Sequence, residues 1–600
     1  MFRRWLNENR VQDFDFSNPL FPRGSDREFW ASKSRKRYID KAEECLNNTW
    51  PQIKASDYIA FHTEGNRVRQ EEPHFSRRNA LINLLLGELC EYKGRFIPDI
   101  VDGLFLICEE TYWGVSAHYP PFVENKLPDA QNCYIDLFAG ETASTVALCY
   151  YLLYDELYDY CPDILIRTEY EMKHRILDPY LEHTDFWWMG YYYRSVNNWN
   201  PWVLSNMLTA FLLMENNPTR KYKAIHKMMY EINNIYTAYP DDGGCDEGAN
   251  YWSVSGGTLF EFIYQLYVSS GEKLNFFTDK KIQKIMQYNY HTYILDGKYV
   301  NFADGAPHVP ANTAAILYLY GKTADDLKMC ELAKRLYRDY DAGNSSGKSR
   351  NRMLKRELQM LILADELSKK DNMTVSDGHI YPDLQIAYMR SGEWYCAAKG
   401  GHNGESHNHN DVGSFILYYG SVPVLIDPGC GIYTANTFNE HRYEIWTMQS
   451  DWHNLPKIND VSQHEGCNFR ADSFDMNNGV ISVSFKNAYT PDSGLTECMR
   501  KLWFKDETLN IFDKFAFEKD KNTVYEHFMI RFEPRLDGNR VVFGDYALES
   551  GTNGEISYDI RPFDGDNSLM NSWNTDKLYR IIIKYNAAKE LENKITVRKA

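Results

Sequence analysis

The chain lacks the features of a membrane-spanning, exported or disulfide-stabilised protein. No stretch approaches the roughly 18 uninterrupted apolar residues of a membrane span. The N-terminal MFRRWLNENR is basic, but no apolar run of signal-peptide length follows it. The 12 cysteines are scattered without a CxxC pair, which favours reduced, buried thiols. We therefore expect a cytoplasmic location for the chain as it stands, although a periplasmic or secreted protein whose export signal had been trimmed would look the same.

Positive charge is also in short supply. Lys and Arg together number 66 against 83 Asp and Glu, a net charge of -17. Such an acidic chain is poorly suited to a phosphate backbone, so we expect no nucleic-acid partner. A local basic cleft could still bind an anionic substrate. Aromatic residues are abundant at 15%, and their excess fits either a large core or a sugar-binding groove, where ring faces stack on sugar C–H faces.

The pattern of apolar residues divides the chain into two halves. Up to about residue 375, apolar residues recur at three- and four-residue spacing, as in Asn200–Met214 and Gly256–Ser270, which predicts helices. After the polar stretch Ser368–Gly378 the period changes to two, and short runs rich in Val, Ile, Tyr and Phe predict antiparallel strands. We therefore predict an α+β multidomain protein with an (α/α) toroid over residues 1–375 and an antiparallel β-sandwich over residues 376–600.

Histidines are concentrated at the start of the second half, in GGHNGESHNHNDVG (400–413). His407, His409 and Asp411 are spaced at i, i+2 and i+4, so an extended strand would project all three from one face. Asp427 follows the next predicted strand, and His453 follows in SDWHN. Imidazole and carboxylate groups are typical Zn²⁺ ligands, so the cluster favours a metal site. The alternative interpretation is a surface loop with hydrogen-bonded histidines.

The helical half offers two further candidate loops. Ser195–Trp202, SVNNWNPW, and Asp241–Trp252, DDGGCDEGANYW, both precede predicted helices. In a toroid, alternate loops open on the same side, so these two can face each other across a central cleft. The alternative interpretation is that Asn and Asp cap helices and the tryptophans pack in the core.

Taken in order, these motifs resemble the heparinase II/III-like polysaccharide lyases. This family combines an (α/α) toroid with an antiparallel β-sandwich. The resemblance implies a polysaccharide lyase that cleaves a uronic-acid-containing polysaccharide or oligosaccharide by β-elimination and leaves a 4,5-unsaturated uronide. A glycosaminoglycan-type substrate is favoured, and alginate or another bacterial uronate polymer stays open.

The resemblance also implies roles for individual residues. Asn198 matches the group that neutralises the substrate carboxylate, with Asn197 as the fallback. Tyr251 matches the tyrosine that acts as base, acid or both, and a nearby positive charge would be needed to sustain a tyrosinate. His407 completes the site, with His402 as the less favoured alternative. Further candidates are Tyr433 at the leaving group and, for substrate binding, Asn197, Trp199, Arg194, Glu247, Trp252 and Glu405.

The family's zinc ligands match His409, Asp427 and His453, and Asp411 occupies an alternative ligand position. The choice between His409 and Asp411 stays open. The resemblance implies a structural zinc that holds the strand carrying His407 against the toroid, and we expect no organic cofactor. A homodimer is a further expected assembly.

Two other functions compete with the lyase. A glycoside hydrolase on an α/α toroid would need two carboxylates roughly 5–9.5 Å apart, and Asp246 and Glu247 are candidates. An inactive sugar-binding protein would keep the aromatic residues and the zinc without turnover. The low positive charge favours weakly sulfated or unsulfated substrates.

Overall fold

The computed structural model describes residues 1–119, 126–192, 196–341 and 352–600. Helices dominate the first 367 residues and strands the remainder, as predicted. The helices in the described residues are α1 Phe2–Glu8, α2 Arg27–Lys33, α3 Lys36–Glu43, α4 Ala55–Glu64, α5 Val68–Glu91, α6 Ile97–Cys108, α7 Leu137–Leu152, α8 Tyr154–Tyr160, α9 Pro162–Met172, α10 Asp178–Glu182, α11 Trp199–Met214, α12 Pro218–Ala238, α13 Gly248–Trp252, α14 Gly256–Ser269, α15 Lys280–Thr292, α16 Thr313–Thr323, α17 Leu327–Asp341, α18 Leu354–Leu367 and, among the strands, α19 Asn567–Trp573.

The helices form an (α/α) toroid whose inner elements are apolar on most sides. α11 packs against α7 and α14, and its buried residues recur on every face, as expected for a helix surrounded by others. Buried aliphatic and aromatic side chains from most of the helices join in one continuous core. None of the helices in the described ranges is long and apolar enough to cross a membrane.

Antiparallel strands make up the C-terminal half. Its strands are β1 Gly378–Tyr381, β2 Ile386–Ser391, β3 Trp394–Lys399, β4 His402–Asn403, β5 Phe415–Tyr419, β6 Val422–Leu425, β7 Pro456–Ile458, β8 Gly466–Arg470, β9 Ser473–Asn477, β10 Val480–Ser484, β11 Leu495–Lys505, β12 Thr508–Phe517, β13 Asn522–Ile530, β14 Pro534–Asp537, β15 Arg540–Phe543, β16 Tyr546–Ser550, β17 Glu555–Pro562, β18 Lys577–Ala587 and β19 Glu590–Lys599. An eight-stranded sheet has the order β14-β15-β16-β19-β12-β11-β10-β9, a four-stranded sheet β17-β18-β13-β7, and a five-stranded sheet β1-β2-β3-β5-β6.

The five-stranded sheet is the layer between the two halves. Along β3, Tyr395 and Ala397 belong to the core of the toroid, whereas Cys396 and Ala398 belong to the core of the sandwich. Because successive side chains of a strand point to opposite faces, both faces of this sheet are buried. The loops at the end of β3 and after β6 are therefore held against the toroid.

Hydrogen bonds also join the two halves. The carboxylate of Asp242 accepts the backbone N–H groups of Asp383 at 2.7 Å and Leu384 at 3.1 Å. The guanidinium of Arg390 donates to the backbone carbonyl of Tyr293 at 2.6 Å. The last helix of the toroid ends at Leu367 and the first strand begins at Gly378. The placement of the domain boundary at residue 375 stays a prediction.

Candidate functional site

The two candidate loops of the toroid meet the histidine-rich loop of the second half. The ring of Tyr251, on the short helix α13, stacks on the imidazole of His407 with 5.0 Å between centroids and 23° between planes. The toroid thus supplies the phenol and the second half supplies the imidazole. This pair is the centre of the candidate site.

Asn198 and Glu247 face each other beside this pair. The side-chain amide of Asn198 donates to Oε2 of Glu247 at 2.7 Å, and both residues are buried. Asn198 precedes α11 but its side chain does not cap the helix; the oxygen of Asn197 instead accepts the backbone N–H of Trp199 at 3.1 Å. Burial raises the pKa of the Glu247 carboxyl to about 7, so a large neutral fraction is present near neutrality. Asn198 is therefore held by a specific partner rather than by helix capping.

The predicted extended strand through His407, His409 and Asp411 is wrong. β4 ends at Asn403, the residues up to Gly413 form turns and irregular chain, and His407 has a left-handed φ of 55°. Glycines at both ends of this stretch and its run of Asn and Asp residues favour turns over a ladder. The three side chains therefore do not share one face: His407 and His409 both reach the carboxylate of Asp304, whereas Asp411 pairs with Lys399.

Asp304, which the sequence did not single out, lies between the side chains of His407 and His409. His407 Nδ1 lies 2.9 Å from its Oδ2, and His409 Nε2 lies 3.1 Å from its Oδ1. Arg442 donates to Oδ1 at 2.6 Å, and the hydroxyl of Tyr433 donates to Oδ2 at 3.2 Å. Burial alone would raise the pKa of Asp304, but the two histidines and Arg442 hold it well below its usual range. In the sequence, Asp304–Gly305 indicates only a turn, and Arg442 lies in no recognisable motif.

Tyr251 and Tyr433 share a hydrogen bond with 2.6 Å between their hydroxyl oxygens. Burial raises the pKa of the Tyr251 phenol well above its ordinary value, and the neighbouring Cys430 raises it further. The imidazole of His407 stacks on this phenol; burial would lower the pKa of His407, but Asp304 and Glu247 raise it above the ordinary histidine value. The raised pKa favours the neutral phenol near neutral pH, and the role of Tyr251 as base, acid or both stays a prediction.

His409, Asp427 and His453 form a buried triad whose potential ligand atoms lie within 4.8 Å of one another. His453 Nδ1 lies 3.1 Å from Oδ2 of Asp427. Nδ1 of His409 is buried and, among the described residues, has no hydrogen-bond partner. Two imidazoles, a carboxylate and an unsatisfied nitrogen fit a zinc ion, and this is one of the two ligand sets that the resemblance left open.

Asp411 lies outside this triad. Its carboxylate oxygen is 2.7 Å from Nζ of Lys399, which also lies 3.2 Å from a carboxylate oxygen of Glu405. Because Lys399 is buried between two carboxylates, its pKa is raised despite the cost of burial. Asp411 therefore serves as a counter-ion, and the triad contains His409 rather than Asp411.

A cleft of about 780 Å³ opens beside the site, between the toroid and the second half. His402, Asn197, Glu247 and Glu405 line it, and Glu405 also accepts the backbone N–H of His402 at 3.0 Å. These candidate residues therefore face the cleft. His402 makes no contact with Tyr251 comparable to the stack of His407.

The remaining candidates lie elsewhere. Trp252 is fully buried and its indole N–H donates to the carbonyl of Ile285 at 2.8 Å, so its assignment to substrate binding is wrong. It is a core residue because its ring points into the toroid. Trp199 is half-buried and packs against Trp187 and His118. Arg194 lies outside the described residues.

Solved structures with the same architecture include several lyases. A mutant of the heparan sulfate lyase HepC from Pedobacter heparinus has a TM-score of 0.60 at 13% identity, over 100% of this chain and 87% of that chain. Heparinase III has a TM-score of 0.63 at 12% identity, over 94% and 85%. The Streptomyces coelicolor A3 chondroitin AC lyase in complex with chondroitin sulphate has 0.54 at 10% identity, over 100% and 82%. The protein therefore has the fold of these structures, an (α/α) toroid followed by a β-sandwich.

The second half also matches a known family model. Residues 373–593 match the family described as heparinase II/III-like, C-terminal. This match confirms, for that part of the chain, the resemblance seen in the sequence. No curated protein matches the chain in a sequence search.

Proposed function

We propose that the protein is a polysaccharide lyase that cleaves a uronic-acid-containing polysaccharide or oligosaccharide by β-elimination. The observation that carries this proposal is the stack of Tyr251 on His407 beside Asn198 and Glu247, at the edge of a sugar-sized cleft. The family match and the lyases among the structural neighbours support it. We also propose residues 1–375 and 376–600 as its two domains, each supplying part of the site.

Elimination requires that the substrate carboxylate be neutralised, since its charge opposes a carbanion at C5. The amide of Asn198 has a second N–H beyond the one bound to Glu247, and this N–H can donate to the uronate. With a pKa of about 7, Glu247 can also donate from its protonated form. Buried donors aimed at developing charge stabilise a transition state strongly.

Proton transfer requires one acceptor and one donor. We assign the imidazole of His407 as acceptor of the C5 proton, because the adjacent carboxylates make it a stronger base than an ordinary histidine. The C5–H electron pair forms the C4–C5 double bond while the C4–O4 bond breaks. The neutral phenol of Tyr251 donates its proton to the leaving O4, and Tyr433 orients that phenol through its hydroxyl.

We propose a structural zinc at the second-half triad. His409, Asp427 and His453 would hold it, and the ion would fix the loop that carries His407. These ligands come from three irregular segments that no common strand or helix joins. The ion is not assigned to the elimination.

For the substrate, we propose a weakly sulfated or unsulfated glycosaminoglycan-type chain. Five carboxylate residues line the cleft, against one arginine and one histidine: Asp246, Glu247, Asp383, Glu405, Asp472, Arg470 and His402. Like charges disfavour densely sulfated sugars in such a cleft. A uronate every second residue is compatible with it, because Asn198 and Glu247 can neutralise each carboxylate at the reacting position.

The test of this function is the substitution Tyr251→Phe, which removes the hydroxyl and keeps the ring that stacks on His407. Wild-type protein should raise the absorbance at 232 nm on a panel of uronate polymers and oligomers. The variant should lower kcat by ~10²-fold or more, because the leaving oxygen loses its proton donor.

Tyr395→Phe is the matched control. Tyr395 is buried in β3, and its hydroxyl has no hydrogen-bond partner among the described residues, so this change should leave kcat unaltered. Full activity of Tyr251→Phe would remove Tyr251 from the mechanism. Cleavage without an unsaturated product would instead identify a hydrolase.

A further inference from the structure

The carboxylate of Asp304 is saturated with hydrogen bonds. Each oxygen has two partners: Oδ1 faces His409 Nε2 and Arg442 Nη2, and Oδ2 faces His407 Nδ1 and the hydroxyl of Tyr433. Four partners match the roughly four lone-pair positions of an ionised carboxylate. The guanidinium at 2.6 Å supplies the charge that keeps it ionised.

An ionised carboxylate can only accept hydrogen bonds, so the ring nitrogen of each facing histidine must carry the hydrogen. In the neutral imidazole the opposite nitrogen then has the free lone pair. For His407 that nitrogen is Nε2, which lies 4.0 Å from Oε2 of Glu247. For His409 it is Nδ1, the buried nitrogen without a partner in the described part of the chain. One carboxylate thus determines which nitrogen of each histidine is available.

The position of Asp304 is fixed by bonds to both loops that surround it. Its backbone N–H donates to the carbonyl of His407 at 3.1 Å. The thiol of Cys430 contacts the Asp304 carbonyl at 3.4 Å. In the same turn, the amide of Asn301 donates to the carbonyl of Asp427 at 3.0 Å. A single turn of the toroid therefore holds both the loop of the candidate base and the loop of a candidate metal ligand.

We propose that Asp304 is a positioning residue that sets the tautomers of His407 and His409 together, so that one side chain couples the acid–base pair to the metal triad. The part of this inference that concerns His407 rests on the proposed function. The part that concerns zinc affinity can be tested without any enzymatic activity. It predicts that a single change at Asp304 alters catalysis and metal affinity at once, although Asp304 touches neither substrate nor metal.

The decisive variant is Asp304→Asn, which preserves shape but turns one oxygen into an NH₂ group. That group faces one of the two histidines and forces it to accept instead of donate, and the loss of the negative charge weakens the hydrogen bond that the other histidine donates. We expect kcat to fall about 10–100-fold with KM within about twofold, and zinc affinity, measured by chelator competition, to weaken about 10–100-fold. A variant that was only destabilised would have a smaller folded fraction, but its folded molecules would not show a lower kcat at unchanged KM.

Asp371→Asn is the matched control, because Asp371 is also a buried carboxylate with arginine partners, Arg335 and Arg338, but far along the chain from the site. It should lower the melting temperature and leave kcat and zinc affinity unaltered. If Asp304→Asn does not fold, Asp304→Glu serves instead, since its longer side chain cannot keep both histidine contacts and should still reduce kcat or zinc affinity about tenfold.

The outcomes separate the two proposals. A folded Asp304 variant with wild-type kcat and wild-type zinc affinity would overturn the role of Asp304, as would a loss of only one of the two in Asp304→Asn. A wild-type protein that forms no unsaturated uronide on any substrate would overturn the proposed function, and the zinc measurement would still decide the tautomer of His409. A wild-type protein that binds no zinc would overturn the coupling.

Discussion

Glu231, on α12, is a carboxyl group that the toroid buries without a full set of partners. Its Oε2 accepts the hydroxyl of Tyr180 at 2.6 Å, and Nζ of Lys227 lies 3.9 Å from Oε1. Burial raises its pKa to about 7, although Lys227 and the tyrosines partly oppose the shift. Because the pKa in the unfolded chain is about 4.3, the folded state binds this proton more tightly. The resulting stabilisation is full below pH 4.3 and is lost as the pH rises through 7.

Glu231→Gln should therefore become progressively more stable than the wild type as the pH is raised from 5 to 8. The difference should reach at most about 3 kcal/mol, since the amide keeps hydrogen-bonding capacity without ionising. Melting temperatures of both proteins across this range would measure it. Glu182→Gln, at an exposed position, should show no such trend. Parallel curves for Glu231→Gln and wild type would disprove the assignment.

At the scale of single residues, the sequence could predict site residues that lie in a recognisable sequence motif. It could not predict residues whose role depends on tertiary contacts. Asn198, Tyr251 and His407 lie in motifs, and the structure brings them together. Asp304 and Arg442 sit in ordinary turns, and their importance arises only because distant segments converge on them. Trp252 illustrates the converse: an aromatic residue in a motif can still belong to the core.

At the scale of elements, the triad connects the loop before β5, the loop after β6 and the segment before β7. Their ligands, His409, Asp427 and His453, are all fully buried. Without an ion, one carboxylate and an unsatisfied imidazole nitrogen would remain enclosed, which is unfavourable. A metal bound only by the folded state stabilises that state.

Removal of zinc by a chelator should therefore lower the melting temperature, and added zinc should restore it. His453→Ala should bind zinc at least about 10-fold more weakly and lose most of the response to chelator. His464→Ala, a histidine of the same region outside the triad, is the control and should behave as the wild type. An unchanged melting temperature after complete zinc removal would argue against the structural role.

Element prediction succeeded where the periodicity was long. Asn200–Met214 and Gly256–Ser270 correspond to α11 and α14. It failed for the histidine loop, because an i, i+2, i+4 spacing over five residues is too short to exclude turns. The left-handed backbone at His407 depends on tertiary contacts that the pattern does not contain.

At the scale of the whole molecule, the acidic character extends into the cleft. The net charge is -17, and the cleft lining repeats this excess of carboxylates. An unsulfated uronate polymer should therefore be cleaved with a kcat/KM at least about 10-fold higher than its sulfated counterpart at low ionic strength. Rates at 232 nm on matched sulfated and desulfated chains would measure the ratio.

Asp472→Asn should reduce that ratio, because Asp472 is exposed at the cleft and its removal lessens the repulsion of sulfate. The effect should shrink as salt is added, since screening weakens interactions between exposed charges. A preference for the sulfated chain by the wild type would contradict the proposed substrate class.

The five-stranded sheet shared by the two cores has a consequence for how a polymer reaches the site. Separation of the two halves would remove Tyr388, Tyr395 and Tyr418 from the core of the toroid and expose their rings to solvent. Each such ring would cost on the order of 2 kcal/mol, which makes the hinge stiff. For the proposed polysaccharide substrate, access to the cleft should therefore depend on motion at its rim rather than on separation of the two halves.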